Sequence, residues 1–183
     1  MSGRLYIAWL DPCGATFRDV LGKWVGDVLP AVEVAHAPDV RADAPWQTTL
    51  PKSLQGAEAA LVCVIGEQAA SPWIHLQLGA CFRALGTEKP VVPMLLDVPD
   101  ASFASSPLGL FQVGRPTKED LRRLVRGLAA AYGIANAGPA ALERFESTFD
   151  ELLSDLDSVP GTAAASFQVV LVLPDRVLPV PNS

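Results

Sequence analysis

Ser71–Leu85 reads SPWIHLQLGACFRAL, and it follows the apolar run Ala60-Leu61-Val62-Cys63-Val64-Ile65 across the polar link Gly66-Glu67-Gln68. An uncharged apolar run of this kind predicts a buried strand, and the stretch after it predicts a helix. Ser71 is a candidate N-cap and Pro72 suits the first helical turn, where its missing N–H costs nothing. Trp73 and Gln77 are four residues apart, so they share one face, one turn above the other. Gly79, Ala80 and Cys81 are small and leave the middle of the helix open to close packing. In an open α/β sheet ligands bind outside the carboxyl ends of the strands, so this helix reads as a candidate site wall. The same spacing also fits a buried helix with one satisfied polar group, and both readings stay open here.

Working outward, Leu5–Leu10 (LYIAWL) is a short apolar run closed by Asp11-Pro12-Cys13-Gly14, a strand followed by a loop. Phe17, Val20, Leu21, Trp24, Val25, Val28 and Leu29 recur at helical spacing, and Pro30 ends that helix. Val32–Ala37 predicts a second strand, 38–48 a polar connection, and Leu50–Gly56 a short helix. Ala59–Ile65 is the third strand and Pro90–Val98 the fourth, with Pro93 marking a bulge or an edge. Phe111-Gln112-Val113 reads as a short fifth strand. Lys118–Tyr132 is an amphipathic helix capped by Thr117, and Pro139–Leu156 repeats the pattern. Val159–Ala165 reads as a linker, and Phe167–Leu173 as an extra strand. Strand–helix alternation predicts a parallel sheet with helices on both faces. The organisation expected is a domain over 1–135, a helix packing on it over 136–158, and a linker with an extra strand over 159–183, the start of a second domain or an addition to the sheet.

Half of the 183 residues are hydrophobic, enough for a full core. Lys and Arg number 14 against 20 Asp and Glu, a net charge of −6. No basic run interleaves with aromatics, so direct nucleic-acid binding is not expected. Cys13, Cys63 and Cys81 are odd in number and lack metal spacing, which argues against a disulfide framework and a zinc site. No stretch is long enough to span a bilayer, and the first apolar run is too short for a secretory signal. A reducing cytoplasm is therefore the expected compartment. GxGxxG, P-loop and GxSxG motifs are absent, and two histidines leave little room for a Ser-His-Asp triad. No aspartate ends the third strand, which argues against a response-regulator receiver.

The stretch Trp73-Ile74-His75-Leu76-Gln77-Leu78-Gly79-Ala80 resembles the site helix of Toll/interleukin receptor (TIR) domains of bacterial type. There a tryptophan is followed, after three intervening residues, by a glutamate and then by small residues. The resemblance covers roughly Arg4–Tyr132. Tyr6–Asp11 looks like the opening strand and its loop, with Ala8 where serine is common. The stretch 38–46, with Trp46, looks like the family's mobile loop, and Ser106–Gln112 resembles a Pro-Leu-x-x-Phe-Gln run of bacterial members. The resemblance implies a flavodoxin-like, five-stranded parallel sheet. It implies a cleft formed by Trp9, Leu10, Asp11, Trp46 and Trp73, in which NAD+ is bound as substrate, with no resident cofactor. It also implies self-association, with the Trp46 loop as anchor, and a sensor domain or partner protein.

Gln77 stands where the family's enzymes carry the glutamate that cleaves NAD+. A carboxylate offsets the positive charge that develops on the ribose as the glycosidic bond breaks; a carboxamide keeps the shape without the charge. Two functions follow from the resemblance. One is an NAD+ glycohydrolase of antiphage defence, releasing nicotinamide and ADP-ribose or a cyclic form, disabled by an exchange at Gln77. The other is a naturally non-catalytic TIR scaffold that self-assembles. A flavodoxin-like binding module outside the family is the third reading.

Overall fold

The computed structural model describes residues 3–10, 12–36, 52–104, 106–134 and 138–159. In chain order these form β1 (Gly3–Ala8), α1 (Pro12–Val28), β2 (Val32–His36), β3 (Ala57–Ile65) and a 3-10 turn (Gly66–Ala70). Then come α2 (Pro72–Leu85), β4 (Val91–Leu96), α3 (Asp100–Ala104), a second 3-10 turn (Pro107–Leu110), α4 (Lys118–Ala131) and α5 (Gly138–Asp157). All strand pairs are parallel, in the order β2-β1-β3-β4. The α/β class follows the alternation in the sequence. Asp11, the 37–51 stretch with Trp46, and the expected strand at 167–173 lie outside the described residues.

The sheet has four strands where five were expected. The fifth is reduced to one bridge, in which Gly114 N–H donates to Pro93 O at 2.9 Å and Gly114 O accepts from Leu95 N at 2.8 Å. The sequence around it explains why. The next ladder donor would be residue 116, which is a proline without an N–H. Arg115 N–H is diverted to Asp120 Oδ2 at 3.0 Å, at the start of α4. On the other side the 3-10 turn runs to Leu110, and Phe111 N–H still bonds back to Leu108 O. Pro93 lies in β4 without a register shift, opposite Val62. Its missing N–H points to the outer edge, where it breaks no bond with β3. The irregularity in the sheet lies elsewhere: Arg4 pairs Ala57 and Leu5 pairs Ala59, so Glu58 is the extra residue. Of the helix expected at 50–56, residues 52 and 53 are helical and the chain then turns to Gly56, with φ 79°.

The two faces of the sheet are covered by different helices. Leu5, Ile7, Leu61, Cys63 and Ile65 pack with α1, α4 and α5. Tyr6, Ala8, Ala60, Val62 and Val64 pack with Ile74, Leu78, Cys81 and Leu85 of α2. This is the period-2 alternation of strands buried on both sides. α5 lies antiparallel on α1. Arg144 Nε donates to Val28 O at 2.9 Å, Trp24 Nε1 to Thr148 Oγ1 at 3.2 Å, and Lys23 pairs Glu151 at 3.3 Å.

Candidate functional site

The connection from β1 to β2 runs through α1 on one face, and that from β3 to β4 runs through α2 on the other. β1 and β3 are neighbours in the sheet, so a crevice opens between their carboxyl ends. Trp9 and Leu10 leave β1 there. Successive residues of an extended chain point opposite ways, and Trp9 packs against the α1 side while Leu10 packs against the α2 side. On the β3 side, the chain turns at Gly66, with φ 48°, and Gln68 folds back so that its Oε1 accepts from Ile65 N–H at 3.2 Å. Gln68 is 6% exposed, the one buried polar residue among those described. It shapes the turn that delivers α2. The polar link after an apolar strand was its only sequence signal.

α2 starts where its cap predicts, with Ser71 Oγ accepting from Trp73 N–H at 3.3 Å and Pro72 in the first turn. One turn in, Gln77 Nε2 donates to Trp9 O at 3.0 Å. A carbonyl accepts only from the NH2 end, so this bond fixes the orientation of the amide. Gln77 Oε1 is buried and has no hydrogen-bond partner among the described residues. Trp9 is held from the far side as well. The Arg18 guanidinium lies 3.9 Å from the centre of its ring and pairs with Asp19 at 2.7 Å. Arg18, Trp9 and Gln77 thus form one row linking α1, the β1 loop and α2. Trp73 precedes Gln77 by one turn and is 45% exposed.

No protein-family model matches this sequence, and no curated protein matches it. Among solved structures the chain is similar to one described as the activated Roq1 resistosome directly recognizing the pathogen effector XopQ (TIR domains). The identity is 15% and the TM-score 0.41, covering 87% of this chain and 86% of that one. The case for function therefore rests on the residues of this chain.

Those residues limit the chemistry. Burial pushes the Cys81 thiol up to about 12 and the Cys63 thiol higher still, so neither is a thiolate nucleophile near neutral pH. Tyr6, under α2, is likewise held protonated by burial and by the nearby Cys81, and its hydroxyl has no partner among the described residues. No group of three or more His, Cys, Asp or Glu among the described residues could hold a metal. No helix among them is long and apolar enough to cross a membrane. A shallow groove runs between α1 and α5, lined by Lys23, Asp27, Glu151 and Asp155 among others. Lys23 bridges it to Glu151, so it is a salt-bridged helix seam rather than a reaction site.

Proposed function

We propose that this chain is a cytoplasmic TIR-type domain that holds NAD+ against the wall formed by Trp9, Gln77 and Trp73, and does not cleave it. The observation that carries the reading is the bond from Gln77 Nε2 to Trp9 O. A catalytic carboxylate at this position would have to face the ribose, and any hydrogen bond it made would have to come from a donor. Here the side chain is an amide, and its donor end ties two loops together. An ionised glutamate could not make that bond, because it has only acceptors. The half-exposed Trp73 supplies a ring face on which a nicotinamide or adenine base stacks. The domain then works by binding and self-association.

A second reading, the disabled NAD+ glycohydrolase of antiphage defence, is favoured by a different atom. Gln77 Oε1 is buried without a partner among the described residues, and an acceptor oxygen there suits a ribose hydroxyl. One experiment separates the two. NAD+ binding is measured by calorimetry on the parent, and nicotinamide release on the parent and on Gln77→Glu in an assembled sample. Binding with no release from either protein supports the scaffold. Release from Gln77→Glu alone supports the enzyme. Absence of binding by the parent at millimolar NAD+ would remove the ligand from both.

A further inference from the structure

The ladders of β1 stop just short of the candidate site. Pairing with β2 ends at Ile7 and pairing with β3 at Ala8, so Trp9 is the first residue beyond both. Its carbonyl is nevertheless the group that fixes the Gln77 amide, through the 3.0 Å bond from Nε2. A carbonyl past the end of a ladder needs side-chain contacts to hold its residue in place.

Arg18 of α1 supplies one. Its guanidinium lies 3.9 Å from the centre of the Trp9 ring, and its side chain is 14% exposed. Nε and one terminal nitrogen both reach Asp19 Oδ1, at 2.8 and 2.7 Å, so the cation is neutralised while it stays on the ring. The Cys63 thiol of β3 is governed first by burial, but it also feels the Arg18 cation and the Asp19 carboxylate, in opposite directions. The pair therefore sits over the end of the β1–β3 ladder. An apolar side chain would cover the ring there at lower cost, since a guanidinium taken from water has to be paired. What arginine adds is direction: a planar cation stacked on an aromatic face resists tilting of the ring.

We infer that Arg18 is a positioning residue of the candidate site: it holds the Trp9 ring, and through Trp9 it sets the direction in which the Gln77 amide presents Oε1. The contacts run from guanidinium to ring, and from the carbonyl of the same residue to Nε2. With Nε2 committed to Trp9 O, Oε1 is an acceptor alone, so the site reads a hydrogen-bond donor on its ligand. Without the cation the amide is free to turn and offers either end. The consequence for NAD+ rests on the binding reading above; the positioning of Gln77 does not.

The test is NMR on the 15N-labelled full chain, where the Gln77 side-chain amide signals are those missing from Gln77→Glu. Arg18→Met keeps a packing stem and removes the cation, whereas Arg18→Lys keeps a cation. Hydrogen exchange of the Gln77 Nε2 protons is expected to quicken about tenfold in Arg18→Met, the effect of one desolvated cation–ring contact, and to return toward the parent in Arg18→Lys. The Ile65 amide, bonded to Gln68 Oε1 at the neighbouring turn, is expected to exchange as in the parent. Asp19→Asn, on the exposed side of the pair, frees the cation without removing buried volume and is expected to act in the same direction. In a Trp9→Leu background, Arg18→Met is expected to change Gln77 no further, because the residue that carries the effect is gone. Unchanged exchange in both Arg18→Met and Asp19→Asn overturns the inference. So does equal quickening at Gln77 and Ile65, a further effect in the Trp9→Leu background, or a lysine variant that behaves as the methionine one. Calorimetry reads the ligand separately: NAD+ bound by the parent is expected to be held about tenfold more weakly by Arg18→Met and regained in Arg18→Lys. A parent that binds no NAD+ overturns the ligand reading and leaves the exchange data to decide on Arg18.

Discussion

The amide of Gln77 has one end bonded and one end without a partner among the described residues, and each has its own consequence. Replacing it with glutamate removes the donor and sets an acceptor against Trp9 O. This is expected to cost about 1 kcal/mol, leaving a half-buried carbonyl unpaired. A melt of Gln77→Glu should show Tm lowered by several degrees, and an unchanged Tm would mean that the tie contributes nothing. Cysteine reactivity is a second expectation at this scale. With Cys63 and Cys81 buried and their thiols pushed up, the folded protein should react quickly with a thiol reagent at one position, the half-buried Cys13. Three fast equivalents would contradict the burial. Gln77 was legible in the sequence because a polar side chain one turn after a tryptophan stands out in an apolar helix. The backbone of Trp9–Asp11 was the expected neighbour of Gln77; which end of the amide would bond a carbonyl there had no sequence signature. Arg18 over Trp9 was hidden too, since the helical spacing of Phe17, Val20 and Leu21 says nothing of a contact between a neighbouring residue and the loop before the helix.

Between elements, short-range chemistry decided what periodicity could not. Helices α1, α2, α4 and α5 were readable from spacing and caps. The fifth strand was over-read because three residues of strand-like composition precede a proline that ends the ladder. Pro116 was in plain view; the diversion of Arg115 N–H to Asp120 was not. The surviving bridge is tight. A Cβ on Gly114 would lie 2.5 Å from Met94 Sδ, so Gly114→Ala is expected to destabilise by about 1–2 kcal/mol through overpacking. Denaturant unfolding measures it directly. The α4–α5 seam has a pH signature. Lys118 and Arg122 both contact Glu146 and hold its carboxyl below the usual range. A depressed carboxyl contributes stability above its unfolded value and loses it as pH falls through the folded one. Melts taken from pH 6 to pH 3 should fall less steeply in Glu146→Gln than in the parent.

For the molecule as a whole, α5 belongs to the core rather than to an appendage. Phe145 is fully buried, meets Trp24 edge-on at 6.1 Å, and lies 5.6 Å from Phe149. Phe145→Ala is expected to cost about 3–5 kcal/mol, and the parent is expected to unfold in one transition by circular dichroism and by tryptophan fluorescence. Two separated transitions would make α5 an independent unit.

The antiparallel seating of α5 on α1 fixes where the following residues are delivered. Val28 faces Arg144, Trp24 faces Thr148 and Lys23 faces Glu151, so the buried Val159 falls toward the first turn of α1. That turn adjoins Trp9 at the crevice between β1 and β3. Val159 and Trp9 belong to one apolar cluster, so loosening the end of α5 is expected to slacken the rim of the candidate site along with the helix.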